Sequence, residues 1–380
     1  MNHVKKIMNF GVKTFQSTDS SAWDTYVRAH IHANLYHLSG WKNVIEKTYG
    51  HKTYYLVARR HNPSNPTNPI NPISGILPLV HMRHLFFGNG LISIPFFDLG
   101  GILADDEETE IALASEAIKL ARDLCVKNIE LRHTRPLSWL SQKTMSYQPS
   151  AVDCADPITI ATKSHKRRML IKLPVSSEQL MSDFKSKLRS QIRKPLKEGL
   201  WSKIGGLDLL DDFYEVFLVN MRDLGSPVHS KSLMRNVLEE FRESARIVMV
   251  YKGHQPLAGS LIVGFRDTLE NPWASFLRKY KRLSPNMLLY WTMLKYACDN
   301  NFACFVFGRS SPGDGNYKFK EQWGARAEPL SWHQISLNGQ PANNRPLEKS
   351  RYRTAINYWQ KLPIPITRII GPMIRKHIAL

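Results

Sequence analysis

The sequence contains few cysteines, and none of them stand as a close pair. Its 380 residues include four, with no C-x-x-C motif among them: Cys125, Cys154, Cys298 and Cys304. Scattered cysteines are typical of reduced thiols, so neither a disulfide framework nor a structural zinc site is expected.

Long apolar runs are also missing. No stretch approaches the roughly 20 apolar residues that cross a bilayer. The beginning of the chain, MNHVKKIMNFGVKTF, lacks the apolar segment of a secretory signal. We therefore expect a cytoplasmic protein whose membrane contact, if any, is peripheral at the inner membrane.

The common catalytic and metal-binding signatures are absent as well. The sequence has no G-x-S-x-G, no H-E-x-x-H and no G-x-G-x-x-G after a predicted strand. His81 and His84 lie three residues apart without a third ligand, so we expect no metal site there.

Acidic residues are heavily outnumbered. There are 32 Asp and Glu against 52 Lys and Arg, which gives a formal net charge of +20 and a pI near 9.8. Such a field attracts polyanions, and the composition leaves three classes open. These are nucleic acid, phosphorylated substrates and anionic lipid surfaces.

Predicted helices and strands alternate along the chain. A helical pattern, SGWKNVIEKTYG, precedes a strand, TYYLVARR, and the second half repeats this style. The alternation predicts an α/β (α+β) fold with two domains, residues 1–163 and 164–340. An Asn-Pro repeat at residues 61–72 predicts an exposed loop between strands.

Residues 341–380 form a basic tail that contains three prolines, Pro363, Pro365 and Pro372. We predict either a helical tail packed on the body or a basic amphipathic segment on a membrane surface. Lysines and arginines stand among isoleucines over residues 355–380, and this segment is predicted to contribute to binding of anionic membranes.

One stretch near the end, GRSSPGDGNYKFKEQWG at residues 308–324, combines a glycine-rich loop with a short helix. On that helix Tyr317 and Lys320 are three residues apart and share a face, which we predict to look into a cleft. Phe319 and Trp323 are four apart and are predicted to bury another face. The alternative is that Lys320 is a solvated surface lysine.

The segment 284–335 closely resembles the end of the FemA/FemB/FemX-like branch of the GNAT acyltransferase superfamily. The resemblance rests on Ser-Pro-Asn before a helix, a strand ending in Phe-Gly-Arg-Ser, and Tyr-x-Phe-Lys-x-x-Trp-Gly. It is most similar to the FemAB-related proteins found with exosortase (PEP-CTERM) and exopolysaccharide gene clusters. The resemblance covers residues 20–340. The matching motifs are specific over residues 284–335, whereas the similarity in the first half is loose.

The resemblance implies two tandem GNAT-like domains and transfer of an acyl or aminoacyl group onto an amine. It assigns Lys320 to stabilising the reacting acyl group and Lys42 to the acceptor's phosphates. The family's pyrophosphate loop is matched only within one residue, as Arg309-x-x-x-Gly313-x-Gly315. Either aminoacyl-tRNA or an acyl-CoA held differently is thus expected as co-substrate, with no tightly bound cofactor.

Acyl transfer passes through a tetrahedral oxyanion, which needs hydrogen-bond donors. The loop with Ser310, Gly313 and Gly315 offers backbone N–H groups, and Tyr317, Lys318 and Lys320 follow it. Asp314 is a candidate base, with an ordinary turn or N-cap role as the alternative.

A row of cations with a spacing of four precedes the second domain, and it consists of Lys185, Arg189, Arg193 and Lys197. On a continuous helix the row is either a binding site for a diphosphate or RNA backbone, or a solvated face. Pro195 interrupts the pattern near its end.

Three hypotheses follow. The first is an acyl- or aminoacyltransferase acting on an amino group of a cell-envelope or exopolysaccharide precursor, an anionic sugar or lipid-linked phosphate. The second is an acetyl-CoA-dependent N-acetyltransferase acting on an amino sugar. The third is a non-catalytic basic adaptor of an envelope assembly.

Overall fold

The computed structural model describes residues 10–60, 72–84, 88–137, 139, 158–339 and 349–379. The Asn-Pro repeat lies almost entirely outside these residues. The described part forms two mixed sheets with helices against them.

The first sheet contains eight strands in the order β1-β2-β3-β4-β6-β15-β7, with β5 paired to β3. Its strands are β1 (Phe10–Thr14), β2 (Lys52–Arg60), β3 (Ile73–His84), β4 (Gly88–Ile92), β5 (Leu103–Ala104), β6 (Asn128–His133), β7 (Thr159–Lys163) and β15 (Ser331–Ser336).

The second sheet contains seven strands in the order β14-β8-β13-β12-β11-β10-β9. Its strands are β8 (Arg167–Lys172), β9 (Leu200–Gly205), β10 (Ala245–Lys252), β11 (Gln255–Phe265), β12 (Thr268–Phe276), β13 (Cys304–Ser310) and β14 (Arg326–Pro329).

Helices of at least seven residues connect and cover these strands. They are α1 (Ser20–Ala29), α2 (Gly40–Tyr49), α3 (Glu107–Asp123), α4 (Ser177–Asp183), α5 (Ser186–Lys197), α6 (Leu210–Leu224), α7 (Lys231–Glu240), α8 (Pro285–Asp299), α9 (Gly315–Glu321), α10 (Lys349–Lys361) and α11 (Ile364–Arg375).

The two sheets share one architectural plan. Each contains an antiparallel run, β2-β3-β4 or β10-β11-β12, and then a single parallel pair. The pairs are β4 with β6 and β12 with β13, and the chain crosses between their members through α3 and α8 respectively. This confirms the predicted α/β fold with two similar halves.

The chain passes from the first sheet to the second between β7 and β8. One element departs from the predicted division. Strand β15, which the prediction placed in the second domain, pairs with β6 and β7 of the first sheet. After the second sheet the chain therefore re-enters the first sheet through β15, which connects the two halves.

Ser176 caps α4 by accepting a hydrogen bond from the Gln179 N–H. This helix ends at Phe184, whose backbone is extended, and α5 begins at Ser186. Apolar residues at a spacing of four are buried on both sides of the break, so the two short helices face one core; they are Leu180, Phe184, Leu188 and Ile192.

The tail forms α10 and α11, and both pack on α6. Gly225, with φ +75°, ends α6 so close to Ile356 that an added Cβ would lie 2.4 Å from its Cγ2. In α11, Gly371 packs on Val228, and Arg368 pairs with Glu215 at 2.6 Å. The packed tail, one of the two predicted alternatives, is thus what the structure shows.

Trp323 lies just past α9 and is fully buried, against Phe184 and Tyr290. We predict that Trp323→Ala lowers the free energy of unfolding by about 3–5 kcal/mol, because it leaves a cavity in the core. Chemical denaturation measures this loss. Trp201, which is 45% exposed, provides the matched control: Trp201→Ala should have a much smaller effect. Equal midpoints for Trp323→Ala and the parent would contradict the buried position.

Candidate active site

The parallel strands β12 and β13 separate after three residue pairs. Their pairing ends at Glu270 and Val306, and β13 continues beside β8 alone. Pro272, which has no N–H to donate, stands on β12 just past this point. On β13 the register shifts before Gly308, whose φ is +76°. These irregularities open a gap between the two strands.

The gap leads into a cavity of about 660 Å³ between the two halves of the protein. The first half contributes Tyr36 and the loop Phe96–Leu99, and the second contributes the diverging strands and one face of α9. Six of the lining side chains are cationic by type and two are carboxylates. The cations are Arg168, Arg278, Lys281, Arg309, Lys320 and Arg375, and the carboxylates are Asp98 and Glu270. The cavity is therefore suited to an anionic ligand.

Lys320 lies at the base of this gap and is 7% exposed. Its Nζ donates to the carbonyl oxygens of Gly308 at 3.2 Å and Arg309 at 2.9 Å. An ammonium carries three N–H donors, so one remains for a group in the cavity. Burial lowers the pKa of Lys320 from 10.5 to about 8, the Asp98 carboxylate raises it, and Arg309 lowers it further. Lys320 is a buried cation, which excludes the solvated surface role.

Asp98 stands on a strained loop that the sequence analysis did not single out. Ile94 and Phe96, which precede Asp98 on this loop, have φ values of +48° and +77°. Positive φ values are unfavourable for residues with such side chains. The Trp332 indole N–H donates to the Asp98 carbonyl oxygen at 3.0 Å. The Asp98 carboxylate lies 3.3 Å from Arg309, at the edge of the cavity. The strained loop thus holds the half-buried Asp98 carboxylate at the cavity.

A buried ion pair forms the floor of the cavity. Arg168 Nη2 lies 2.9 Å from Glu270 Oε1, and both side chains are largely buried. Burial, followed by the charges of Glu270 and Asp98, raises the pKa of Tyr36 well above its usual value, so this phenol keeps its proton. Both carboxylates are paired with an arginine, but the Asp98 side chain is 21% exposed against 6% for Glu270. Asp98 is therefore the carboxylate that a ligand in the cavity can reach more easily.

The rim of the cavity is basic. Arg278 and Lys281 belong to an exposed segment before α8, and Asn286 lines the cavity from the first turn of that helix. The N-terminus of a helix carries partial positive charge and favours anions. In the sequence, the signal for this basic rim is the run RKYKRL directly before Ser-Pro-Asn.

His229 closes one side of the cavity and is almost fully buried. Its Nε2 accepts from Arg375 Nε at 3.0 Å, so Nδ1 carries the hydrogen that points to the Tyr49 hydroxyl oxygen at 2.9 Å. Burial, with Arg375 beside it, holds the pKa of His229 well below its usual value. A neutral histidine thus connects the tail to the cavity wall.

The predicted loop residues separate into two groups. Arg309 lines the cavity, and Ser310 is buried next to it, with no hydrogen-bond partner for its Oγ among the described residues. Gly313, Asp314 and Gly315 are exposed and do not line it. The loop therefore does not enclose a ligand as a unit.

The predicted orientation of α9 is correct for Lys320 and wrong for Tyr317. Tyr317 packs against the core of the second sheet, and Lys318 is exposed. Asn316, Phe319 and Lys320 are the residues of α9 that line the cavity. Residues 316 and 320 share a face at a spacing of four, whereas position 317 is turned about 100° away from 316.

The remaining predicted cations lie elsewhere. Lys42 pairs with Glu46 at 2.7 Å on α2 and does not line the cavity. Arg189 and Arg193 border a separate open depression of about 630 Å³, beside Trp291 and Lys295. Arg189 also donates to the carbonyl oxygens of Ser182 and Phe184, at the break between α4 and α5. The structure thus does not bring these cations together with Lys320.

The described residues include no group of three or more His, Cys, Asp or Glu side chains arranged to hold a metal ion. They also include no helix whose length and apolar character would let it cross a membrane.

The fold and its cleft define a mixed α/β protein with two halves of similar plan. Residues 182–321 match the family model of the acetyltransferase (GNAT) domain, which places α5 to α9 and the diverging strands inside that domain. No curated protein matches the chain.

Several solved structures share the fold. FemX aligns with a TM-score of 0.60 at 14% identity, over 84% of this chain and 96% of its own. The C-terminal domain of a putative lysylphosphatidylglycerol synthetase from Agrobacterium fabrum aligns with 0.52 at 10%, over 90% and 95%. A tandem GNAT protein from the clavulanic acid biosynthesis pathway aligns with 0.51 at 8%, over 88% and 100%. These similarities support a tandem GNAT fold across the chain.

Proposed function

We propose that this protein transfers an acyl or aminoacyl group to an amino group of an anionic cell-envelope or exopolysaccharide precursor. The observation that carries the proposal is the gap between β12 and β13, with Lys320 at its base and Asp98 in the lining of the cavity. Within the tandem fold we place the protein in the FemAB-like branch, as the motifs of residues 284–335 indicate.

Lys320 is the proposed electrostatic partner of the reacting carbonyl. In acyl transfer, negative charge develops on the carbonyl oxygen as the amine attacks. A buried ammonium interacts with this charge more strongly than one in water. The two backbone carbonyls that hold Lys320 fix its position before the reaction, so little reorganisation is needed when the charge forms.

Asp98 is the proposed base. An amine that attacks a carbonyl must lose a proton, and a carboxylate within hydrogen-bond reach can accept it. Asp98 is held at the cavity edge by Arg309 and by its strained loop, whereas Asp314 stays in solvent. The base assignment therefore moves from Asp314 to Asp98.

The gap between the strands also bears on the donor. Backbone groups at a strand edge can pair with an extended ligand that carries amides of its own. The arm of an acyl-CoA has this character, and its phosphates would meet the basic rim with Arg278, Lys281 and the start of α8. This geometry favours acyl-CoA, with aminoacyl-tRNA as the alternative donor.

Labelled acetyl-CoA and, separately, charged tRNA should distinguish the donors, with nucleotide-linked and lipid-linked amino sugars as acceptors. We expect label from acetyl-CoA to appear on an amino-sugar acceptor, because the gap fits an extended amide-bearing arm. If label is transferred only from charged tRNA, the donor is aminoacyl-tRNA instead of acyl-CoA, and the proposed class of reaction stands. Transfer from neither would favour the non-catalytic adaptor.

Removal of the Lys320 charge should reduce turnover by about 10²–10³, the effect of losing one oxyanion donor. Lys320→Met is preferred to Lys320→Ala because it keeps the volume of the side chain. In either variant the carbonyls of Gly308 and Arg309 lose their donor. Some stability, about 1–3 kcal/mol, is expected to be lost with them. Lys318→Met, on the exposed side of α9, is the matched control.

The same assignment predicts a pH profile for the parent protein. The reactive form of Lys320 is the charged one, which exists below its pKa of about 8. Turnover should therefore fall as the pH rises through that value, and the alkaline limb should be missing in Lys320→Met. Full activity of that variant at neutral pH would rule out the role.

Asp98→Asn keeps the size of the side chain and removes the base. We expect kcat/KM to fall by about 10²–10⁴ at neutral pH. Asp314→Asn, which changes an exposed carboxylate outside the cavity, should retain parental activity. Loss of activity in the Asp314 variant with none in the Asp98 variant would return the base to the loop.

A further inference from the structure

The outward face of α11 (Ile364–Arg375) is apolar and has no cover among the described residues. Ile366, Ile369 and Met373 are 43%, 67% and 61% exposed. Their spacing of three and four places them on one side of the helix. Pro365, also exposed, flanks the same side. This row is called the apolar stripe below.

The helix that carries the stripe is firmly held. Its opposite side buries Thr367 and Gly371, and Arg368 pairs with Glu215 on α6. Arg222 donates to the Leu362 carbonyl oxygen at 3.2 Å just before the helix begins. The stripe is therefore presented to solvent by a packed helix, and its exposure is not a sign of an undocked tail.

A basic surface adjoins the start of the tail helix. The segment before α8 exposes four cations, Arg278, Lys279, Lys281 and Arg282. Its link to the tail is direct: the carbonyl oxygen of Asp223 accepts from both Arg278 Nη1, at 3.4 Å, and Gln360 Nε2, at 3.0 Å. Lys361, the last residue of α10, is also exposed.

Nearby acidic side chains do not cancel this charge. Asp223 pairs with Arg222 at 2.7 Å, and Glu215 pairs with Arg368. The four cations of the segment have no carboxylate partner within 4 Å in the described part of the chain. An apolar helix face beside such cations is the pattern of a helix that lies in a membrane interface. Each cation near an anionic leaflet adds about 1 kcal/mol of attraction.

We propose that the apolar stripe of α11, together with the basic segment 278–282, docks this protein on an anionic membrane surface. Arg278 and Lys281 also line the cavity, and Leu224, which is 47% exposed, stands at its edge. The docked protein thus turns the cavity mouth toward the lipid headgroups. That a lipid-borne acceptor enters from there rests on the proposed function, whereas the docking does not.

Vesicle flotation of the full-length protein tests the docking without any substrate. One set of vesicles contains phosphatidylcholine alone and the other equal parts of phosphatidylcholine and phosphatidylglycerol. We expect binding to the anionic vesicles at least about ten-fold tighter than to the neutral ones, with release as salt rises. Absence of binding to both at low salt would overturn the proposal.

The double variant Ile369→Asp with Met373→Asp should weaken binding to anionic vesicles by about ten-fold or more, since it places charges on the inserted face. Its matched control is Ile31→Asp with Val175→Asp, which changes two apolar residues outside the tail that are even more exposed, at 82% and 89%, and should bind like the parent. Lys279→Glu with Arg282→Glu, which leaves the cavity unchanged, should weaken binding and reduce its salt dependence.

Thermal unfolding of each variant shows whether the fold is kept; the exposed positions predict midpoints near that of the parent. Parental vesicle binding by the stripe variant would overturn the role of α11. Sedimentation adds the remaining outcome: a concentration-dependent dimer that the stripe variant abolishes would assign the stripe to a second copy of the chain. Because no step uses an acyl donor, a failure here is distinct from a failure of the transfer reaction.

Discussion

The separation of β12 from β13 is the constraint on which the site depends. Two parallel strands that stop pairing leave backbone groups without a strand partner, and such groups need other partners when they are buried. Lys320 supplies two hydrogen bonds to this edge, at Gly308 and Arg309, while the space beyond remains open as the cavity. The same divergence therefore creates the ligand space and fixes the cation at its base.

Charge around that space is organised by pairing. Glu270 pairs with Arg168, and Asp98 pairs with Arg309. On β6 of the first sheet, Glu130 pairs with Arg132. Arg132 and Arg309 also lie against the Trp332 ring, 4.8 and 5.6 Å from its centroid. Ion pairs of this kind add little net stability, since desolvation offsets the attraction, but they fix the directions of the side chains.

The two halves are not independent in this arrangement. Strand β15 comes from the second half and completes the first sheet, and Trp332 on it holds the carbonyl of Asp98. The tail closes the remaining side, where Arg375 contacts His229 and the Ala379 carbonyl accepts from the Phe96 N–H at 2.6 Å. The cavity is thus a product of both sheets and of the C-terminal helices.

The sequence by itself determined the local elements and part of the site. Helical spacing predicted that Lys320 looks into a cleft and that Trp323 is buried, because these follow from neighbours within a few positions. The tertiary structure alone decided the rest. Asp98, Arg168, Glu270 and Lys320 come from four distant segments, and no local periodicity reports which of them will meet. Tyr317, Lys42 and Arg189 show the converse: each has a suitable side chain, but the packing of its helix turns it to other partners.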